Sequence, residues 1–212
     1  MTPEARLEEG LRVLGLALPA EARARLLAYL ALMRKWNRAY SLTAVDAPEA
    51  MVTLHLLDSL AVLPALESAL PGARRVADIG SGAGLPGIPL ALARPEWRVT
   101  LVEPNGKKAA FLRQAVIELG LGNVEVVERR ADDWRSEAGF DAVVSRALSE
   151  LADFAAMAGH LCGPGGRLAA MKGQHPAEEL ARLPAGVLAE QVLALRVPGL
   201  GAPRHLVIMK MS

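Results

Sequence analysis

The sequence predicts an α/β fold: a mostly parallel sheet with an antiparallel last strand, preceded by an N-terminal helical extension. Three observations predict it. From Pro71-Gly72 onward, short apolar runs alternate with amphipathic segments, the pattern of a parallel sheet flanked by helices. The run Val76-Ala77-Asp78-Ile79 ends in Gly80-Ser81-Gly82-Ala83-Gly84-Leu85-Pro86-Gly87 and continues into apolar Ile88-Pro89-Leu90, so a buried strand turns sharply into a helix. The last two apolar runs, Gln191 to Val197 and His205 to Met211, are joined by Pro198 to Pro203, too short a connector for a parallel crossover.

Residues 1–70 form the helical extension and residues 71–212 the sheet domain. Pro3 and Glu4 start a helix over 3–16 that carries Leu7, Leu11, Val13 and Leu14 on one side. Pro19 opens a second, with Leu26, Tyr29, Leu30, Met33, Trp36 and Tyr40 at helical spacing and Arg23, Arg25, Arg34, Lys35 and Arg38 on the other side. That basic side reads as a solvated face or as a contact with a phosphate backbone. A third helix is expected from Glu49 to about Leu63, where His55 and Asp58 read first as a local hydrogen-bonded pair. Strands are expected over Arg75 to Ile79, Arg98 to Val102, Val124 to Glu128, Asp141 to Ser145 and Arg167 to Met171. Helices are expected around Pro86 to Ala93, Lys107 to Leu119 and Glu150 to Leu161.

Composition bounds the function. The 212 residues are 52% apolar, enough to bury a sizeable core. With 24 basic and 23 acidic side chains the net charge is +1, so no global cationic field announces a nucleic-acid partner and local patches carry that question. The single cysteine, Cys162, excludes an internal disulfide and fits a reducing compartment. Glu4, Glu8 and Glu9 leave no apolar core for a leader at the start, and the longest apolar stretches read as shorter than a bilayer span. A cytoplasmic chain with no membrane partner, working as a monomer, is therefore expected.

A glycine-rich turn after a strand holds a nucleotide-like cofactor, with amides at a helix start facing a crevice at the sheet's carboxyl end. Gly82-x-Gly84-x-x-Gly87 satisfies the dinucleotide pattern, and Glu103 ends the next strand where an acid meets ribose hydroxyls, so an NAD-linked oxidoreductase is one reading. Three features favour S-adenosylmethionine. Asp78 is near enough to meet a methionine ammonium group and would repel a pyrophosphate; Gly163-Pro164-Gly165-Gly166 punctuates the fifth strand; and the sheet ends antiparallel. These are features of the Rossmann-like class I S-adenosylmethionine-dependent methyltransferase fold. Asp132, in Arg129-Arg130-Ala131-Asp132, is placed to accept an adenine amino group, or else caps a following helix. Arg146, at the end of the fourth strand, faces the transferred methyl and cannot act as a base, so it anchors cofactor or substrate.

What is absent narrows the chemistry. There is no Pro-Pro pair for the tetrapeptide usual in exocyclic amine methylation. Cys162 reads as a small buried residue rather than a nucleophile, and no cluster has metal-ligand spacing, so no metal is expected. A ring nitrogen such as guanine N7 presents its own lone pair, and positioning then supplies most of the acceleration.

These residues make the chain resemble the bacterial 16S ribosomal RNA guanine-N7 methyltransferases, also called the glucose-inhibited division protein B family. The resemblance rests on Trp36-Asn37, Leu42-Thr43-Ala44, His55-Leu56-Leu57-Asp58-Ser59-Leu60, Asp78 to Leu90, Lys107-Lys108 with Phe111-Leu112, Ser145-Arg146-Ala147 and Met171-Lys172-Gly173. It departs at Ser41, where an asparagine often precedes the Leu-Thr pair, and at Leu54, where an arginine often precedes the histidine. The resemblance implies N7 of a guanosine in the 530 loop of 16S rRNA as acceptor, presented as naked RNA, a 30S subunit or an assembly precursor. The cofactor residues, taken with those read above, are Asp78, Gly80, Gly82, Gly84, Leu85, Glu103, Pro104, Asn105, Ala131, Asp132 and Arg146. Arg146, Lys172, His55 and Asp58 are candidates for orienting the guanine, and Arg34, Lys35, Arg38, Lys107, Lys108, Arg129 and Arg130 for binding RNA. A methyltransferase of small molecules or proteins, and a non-catalytic RNA-binding protein, are the remaining alternatives.

Overall fold

The computed structural model describes residues 1–146 and 150–212; Ala147 of the Ser145-Arg146-Ala147 motif lies outside the described residues. Among the described residues seven strands form one sheet. In chain order they are β1 (Arg75–Ile79), β2 (Arg98–Val102), β3 (Val124–Val127), β4 (Phe140–Ser145), β5 (Cys162–Lys172), β6 (Val187–Leu195) and β7 (Arg204–Met211). Their spatial order is β3-β2-β1-β4-β5-β7-β6. The first five pair in parallel; β7 runs antiparallel to β6, as the short final connector requires, and also to β5. The strand order reverses between β1 and β4, which opens a crevice at their carboxyl ends.

The helical part begins with α1 (Pro3–Leu14), capped by the Thr2 hydroxyl and ended by left-handed Gly15. It continues with α2 (Ala20–Tyr40). Leu7, Leu11, Leu26, Tyr29 and Met33 share one apolar cluster with Ile88, Leu101, Phe111 and Leu206, so the helices and one sheet face have a common core.

The single third helix expected from Glu49 to Leu63 is instead three pieces. They are α3 (Pro48–Met51), a π turn (Val52–Leu57) and α4 (Asp58–Leu60), followed by α5 (Leu63–Ala69). The Asp58 amide reaches the Thr53 carbonyl five residues back, which widens the helix at His55. By length and composition, the stretch Pro48–Ala69 is apolar enough to cross a bilayer, contrary to the expectation. Here 72% of its most apolar window is buried among other elements, the behaviour of a core helix.

The sheet-side helices are α6 (Gly87–Ala93), α7 (Gly106–Glu118), α8 (Leu151–Ala158) with a 3₁₀ turn, and α9 (Ala177–Ala181), which the sequence reading lacks. Strand β5 starts five residues earlier than expected. Phe140 pairs with Cys162 and Ala142 with Arg167, so Gly163 to Gly166 form a bulge opposite Asp141. A side chain at Gly166 would run into the Phe140 carbonyl, the physical reason for glycine there. Cys162 is accordingly the first residue of β5, and it is half-buried rather than buried as expected.

Candidate functional site

The glycine turn is built by its φ angles and its two acids. Gly80, Gly82 and Gly84 have φ of 66°, 58° and 91°, values that side-chain-bearing residues rarely adopt. Asp78 is wholly buried, and its Oδ2 accepts the Gly87 amide at 2.9 Å, tying the strand end to the start of α6. Its Oδ1 has no hydrogen-bond partner. Burial pushes the Asp78 carboxyl up to about 7, against the Gly87 amide and the Arg146 charge, which pull it down. Glu103, 4% exposed, accepts the Gly82 amide at 2.7 Å and the Asn105 amide at 2.9 Å, so it braces the turn from β2.

The predicted cofactor residues therefore divide. Ile79, Gly80, Val102, Pro104, Ala131, Asp132 and Met157 line a cleft of about 180 Å³ at the carboxyl ends of β1 and β2. A side chain at Gly80 would meet nothing within 4 Å, so the cleft reaches its backbone. Gly84 serves packing instead: a Cβ there would lie 2.5 Å from Ile88 Cδ1. Leu85 is buried in the main apolar cluster and offers the cleft no side chain. Asn105 caps α7, its Oδ1 accepting the Lys107 and Lys108 amides. Asp132 is held by Arg130 through two hydrogen bonds, 3.1 and 2.7 Å, which lower its carboxyl below the usual range; no helix follows it before β4, so the alternative reading as a helix cap falls away.

A second, more polar cleft of about 640 Å³ lies at the ends of β4 and β5, lined by Arg146, Glu150, Lys172, His175, Glu179 and Arg182 among others. Arg146 lines this cleft from the end of β4, the strand beside the β1 end whose Gly80 lines the first. The Ser145 hydroxyl donates to the Ile79 carbonyl at 2.8 Å, so the next residue, Arg146, stands level with Gly80. Its guanidinium donates to the Leu54 carbonyl at 3.0 Å and pairs with Asp58 at 3.4 Å. Asp58 also accepts Arg204 at 2.8 Å, so one buried carboxylate holds two arginines at the same edge of the sheet, one after β4 and one opening β7.

His55 and Asp58 are not partners of each other, against the local-pair reading. The π turn sends His55 Nε2 to the Thr43 hydroxyl at 3.0 Å while Asp58 faces the arginines. Burial lowers the His55 pKa, favouring the neutral ring. Lys172 pairs with Glu179 at 2.7 Å, and Glu179 also accepts the Leu151 amide at the start of α8. Burial raises the Cys162 thiol to about 11, the state of an inert thiol. Among the described residues no group of three or more His, Cys, Asp or Glu could hold a metal ion.

The predicted RNA-binding cations also divide. Arg34 is turned to Asp46, its Nε 3.1 Å from the carbonyl, and Arg130 to Asp132. Lys35, Arg38, Lys107 and Arg129 are exposed. Sequence reasoning missed Arg204, Glu179 and the Arg182–Glu150 pair at 3.4 Å, whose partners are far apart in the chain.

Comparison with known proteins places this geometry in a lineage. The family model described as rRNA small subunit methyltransferase G matches residues 22–207. A protein of Nitrosospira multiformis named ribosomal RNA small subunit methyltransferase G is 58% identical over 99% of this chain and 98% of its own length. One of the same name from Aromatoleum aromaticum is 55% identical over 97% and 98%. Among solved structures, a SAM-dependent methyltransferase from Aquifex aeolicus superposes with a TM-score of 0.57 at 20% identity, covering 81% of this chain and 97% of that one. The glycopeptide N-methyltransferase MtfA, solved with S-adenosyl-L-methionine, gives 0.57 at 17% identity over 75% and 96%. At those identities the solved structures establish the class I methyltransferase fold, whereas the sequence relatives and the family model establish the lineage: the chain belongs to the rRNA small subunit methyltransferase G family.

Proposed function

We propose that this protein transfers the methyl group of S-adenosylmethionine to N7 of a guanosine in the 530 loop of 16S rRNA. The observation that carries the reading is that the two clefts open from neighbouring strand ends, Gly80 lining one after β1 and Arg146 lining the other after β4. One cleft is apolar-walled and suited to an adenosyl group; the other is polar and open, suited to an incoming nucleotide. The residues present fit the cofactor: Asp78 keeps a buried oxygen without a partner, available to a cationic ammonium group, and Gly80 leaves the turn open.

When bound, the sulfonium supplies an electrophilic methyl and a neutral thioether leaving group. Ala131, Pro104 and Val102 would hold the adenine, with Asp132 available to its amino group. Glu103 holds the turn in register and would receive the ribose hydroxyls. Arg146, aimed by Leu54 and Asp58, would donate to the guanine O6 edge and leave the N7 lone pair free for transfer. Lys172 is carried to the same cleft by β5 and held by Glu179. N7 carries no proton, so the reaction asks for no base; alignment and exclusion of water supply the rate. Lys35, Arg38, Lys107, Lys108 and Arg129 meet the RNA backbone.

Labelled S-adenosylmethionine offered together with naked 16S rRNA, 30S subunits and a metabolite extract tests the reading. Label in rRNA or subunits is the expected outcome, and label confined to metabolites or to protein would overturn it.

A further inference from the structure

The end of α2 carries a feature that methyl transfer alone does not use. Tyr40 stacks on Trp36 with ring centroids 5.1 Å apart and planes 26° apart, and Trp36 meets Phe111 of α7 edge-on at 5.7 Å. Phe111 in turn contacts Tyr29 at 6.4 Å. Tyr29 and Phe111 are fully buried, whereas Tyr40 is 38% exposed. The four rings thus form a column from the core to the surface. Its inner member, Tyr29, donates its hydroxyl to the Ala83 carbonyl within the glycine turn.

Helices α2 and α7 run antiparallel. Arg25, early in α2, lies beside Gly120, just past the end of α7, and Trp36, late in α2, lies beside Phe111 in the first half of α7. The exposed end of the column is therefore at the end of α7 that follows Glu103 and the cofactor cleft. Lys107 and Lys108 occupy the first turn of α7, where no acid is present and where the helix dipole disfavours cations. Lys35 and Arg38 occupy the last turns of α2. Among the described residues none of these four cations forms an ion pair, although Arg12, Arg23, Arg25 and Arg34 of the same helical part pair with Glu9, Glu8, Glu21 and Asp46. An exposed ring on a rigid aromatic base, flanked by uncompensated positive charge, matches single-stranded nucleic acid: a base has a face to stack and phosphates on either side.

We propose that Tyr40 is a stacking platform for an unpaired base of the RNA substrate, with the neighbouring phosphates on Lys35, Arg38, Lys107 and Lys108. This rests on the RNA reading above and adds to it where a single-stranded segment crosses the protein. The platform lies outside the two clefts, so it serves affinity for RNA and not the transfer step.

The test compares full-length protein with Tyr40→Leu, Tyr40→Phe and Lys107→Gln/Lys108→Gln variants. The probes are a 16S rRNA transcript, an oligo(U) strand and an RNA duplex of equal length. Tyr40→Leu weakens binding to the transcript and to oligo(U) about tenfold, raises KM for the transcript with kcat held, and leaves S-adenosylmethionine binding by calorimetry unchanged. Tyr40→Phe binds as the parent does. The double lysine variant flattens the dependence of log K on log salt by about one per lysine, a slope Tyr40→Leu leaves alone. Parental affinity in Tyr40→Leu, a Tyr40→Phe loss equal to that of Tyr40→Leu, or a preference for duplex would overturn the platform while leaving the enzyme's activity standing. A parent protein that binds none of the three RNAs would overturn the RNA reading itself.

Discussion

The Tyr29 hydroxyl donates to the Ala83 carbonyl, so a helix of the N-terminal part holds the glycine turn by a fully buried bond. Burial also raises the Tyr29 pKa, keeping the phenol protonated as a donor.

Removing that donor should be felt twice. Tyr29→Phe leaves the Ala83 carbonyl without its partner and costs about 1–3 kcal/mol in denaturant unfolding. The turn also loses a brace, so the affinity for S-adenosylmethionine falls; calorimetry on the variant checks this. An unchanged affinity beside a lowered stability would show that the brace serves the fold alone.

The double grip of Asp58 gives a second expectation. Asp58→Ala deprives Arg146 and Arg204 of their shared carboxylate. Because both arginines are partly exposed, the loss is about 2 kcal/mol rather than the larger figure for a wholly buried pair. Freed from its anchor, Arg146 disorders the acceptor side of the site, so kcat for rRNA falls more than the affinity for S-adenosylmethionine. Equal losses in both would contradict the separation of the two clefts.

The glycines of the turn should differ in what they cost. Gly84→Ala drives a methyl into Ile88 at φ of 91° and lowers thermal stability. Gly80→Ala meets open space at φ of 66°, costs about 1–2 kcal/mol of backbone strain, and places its methyl against the cofactor. Gly80→Ala is therefore expected to lose S-adenosylmethionine binding while remaining folded. Unfolding and calorimetry measured on the same preparations decide it.

These contrasts show which parts of the site are legible in a sequence. The turn was, because glycine is the residue that adopts the positive φ at 80, 82 and 84 and because Asp78 and Glu103 sit at strand ends where parallel sheets place ligands. The antiparallel close of the sheet was legible from the length of one connector. Other contacts were not. Asp58 meets Arg146 and Arg204 across 88 and 146 residues, contacts set by topology and not by local spacing. The π turn at His55 follows from one extra residue in a helical repeat, a shift that apolar periodicity does not register. The bulge at Gly163 to Gly166 is decided by the approach of Phe140, which belongs to another strand.

Asp78 supplies the pH dependence. Its folded pKa of about 7 lies above the ordinary 3.8, so below pH 4 both states hold the proton and folding suffers no penalty. As pH rises from about 4 to about 7, the unfolded chain ionises first and the parent protein loses stability relative to Asp78→Asn. The loss is about 1.4 kcal/mol per pH unit, roughly 4 kcal/mol in all. Denaturant unfolding of both proteins across that window measures it. A difference that stays flat with pH would show that the carboxylate ionises normally where it is buried.

The most direct measurement of the central claim is the chemical identity of the product. After incubation of the protein with S-adenosylmethionine and 30S subunits lacking the modification, the rRNA is digested to nucleosides and separated by mass. The expected product is 7-methylguanosine, at one position in the 530 loop, lost in Arg146→Ala. A methyl group on an exocyclic amine, on ribose or on a pyrimidine carbon would contradict it.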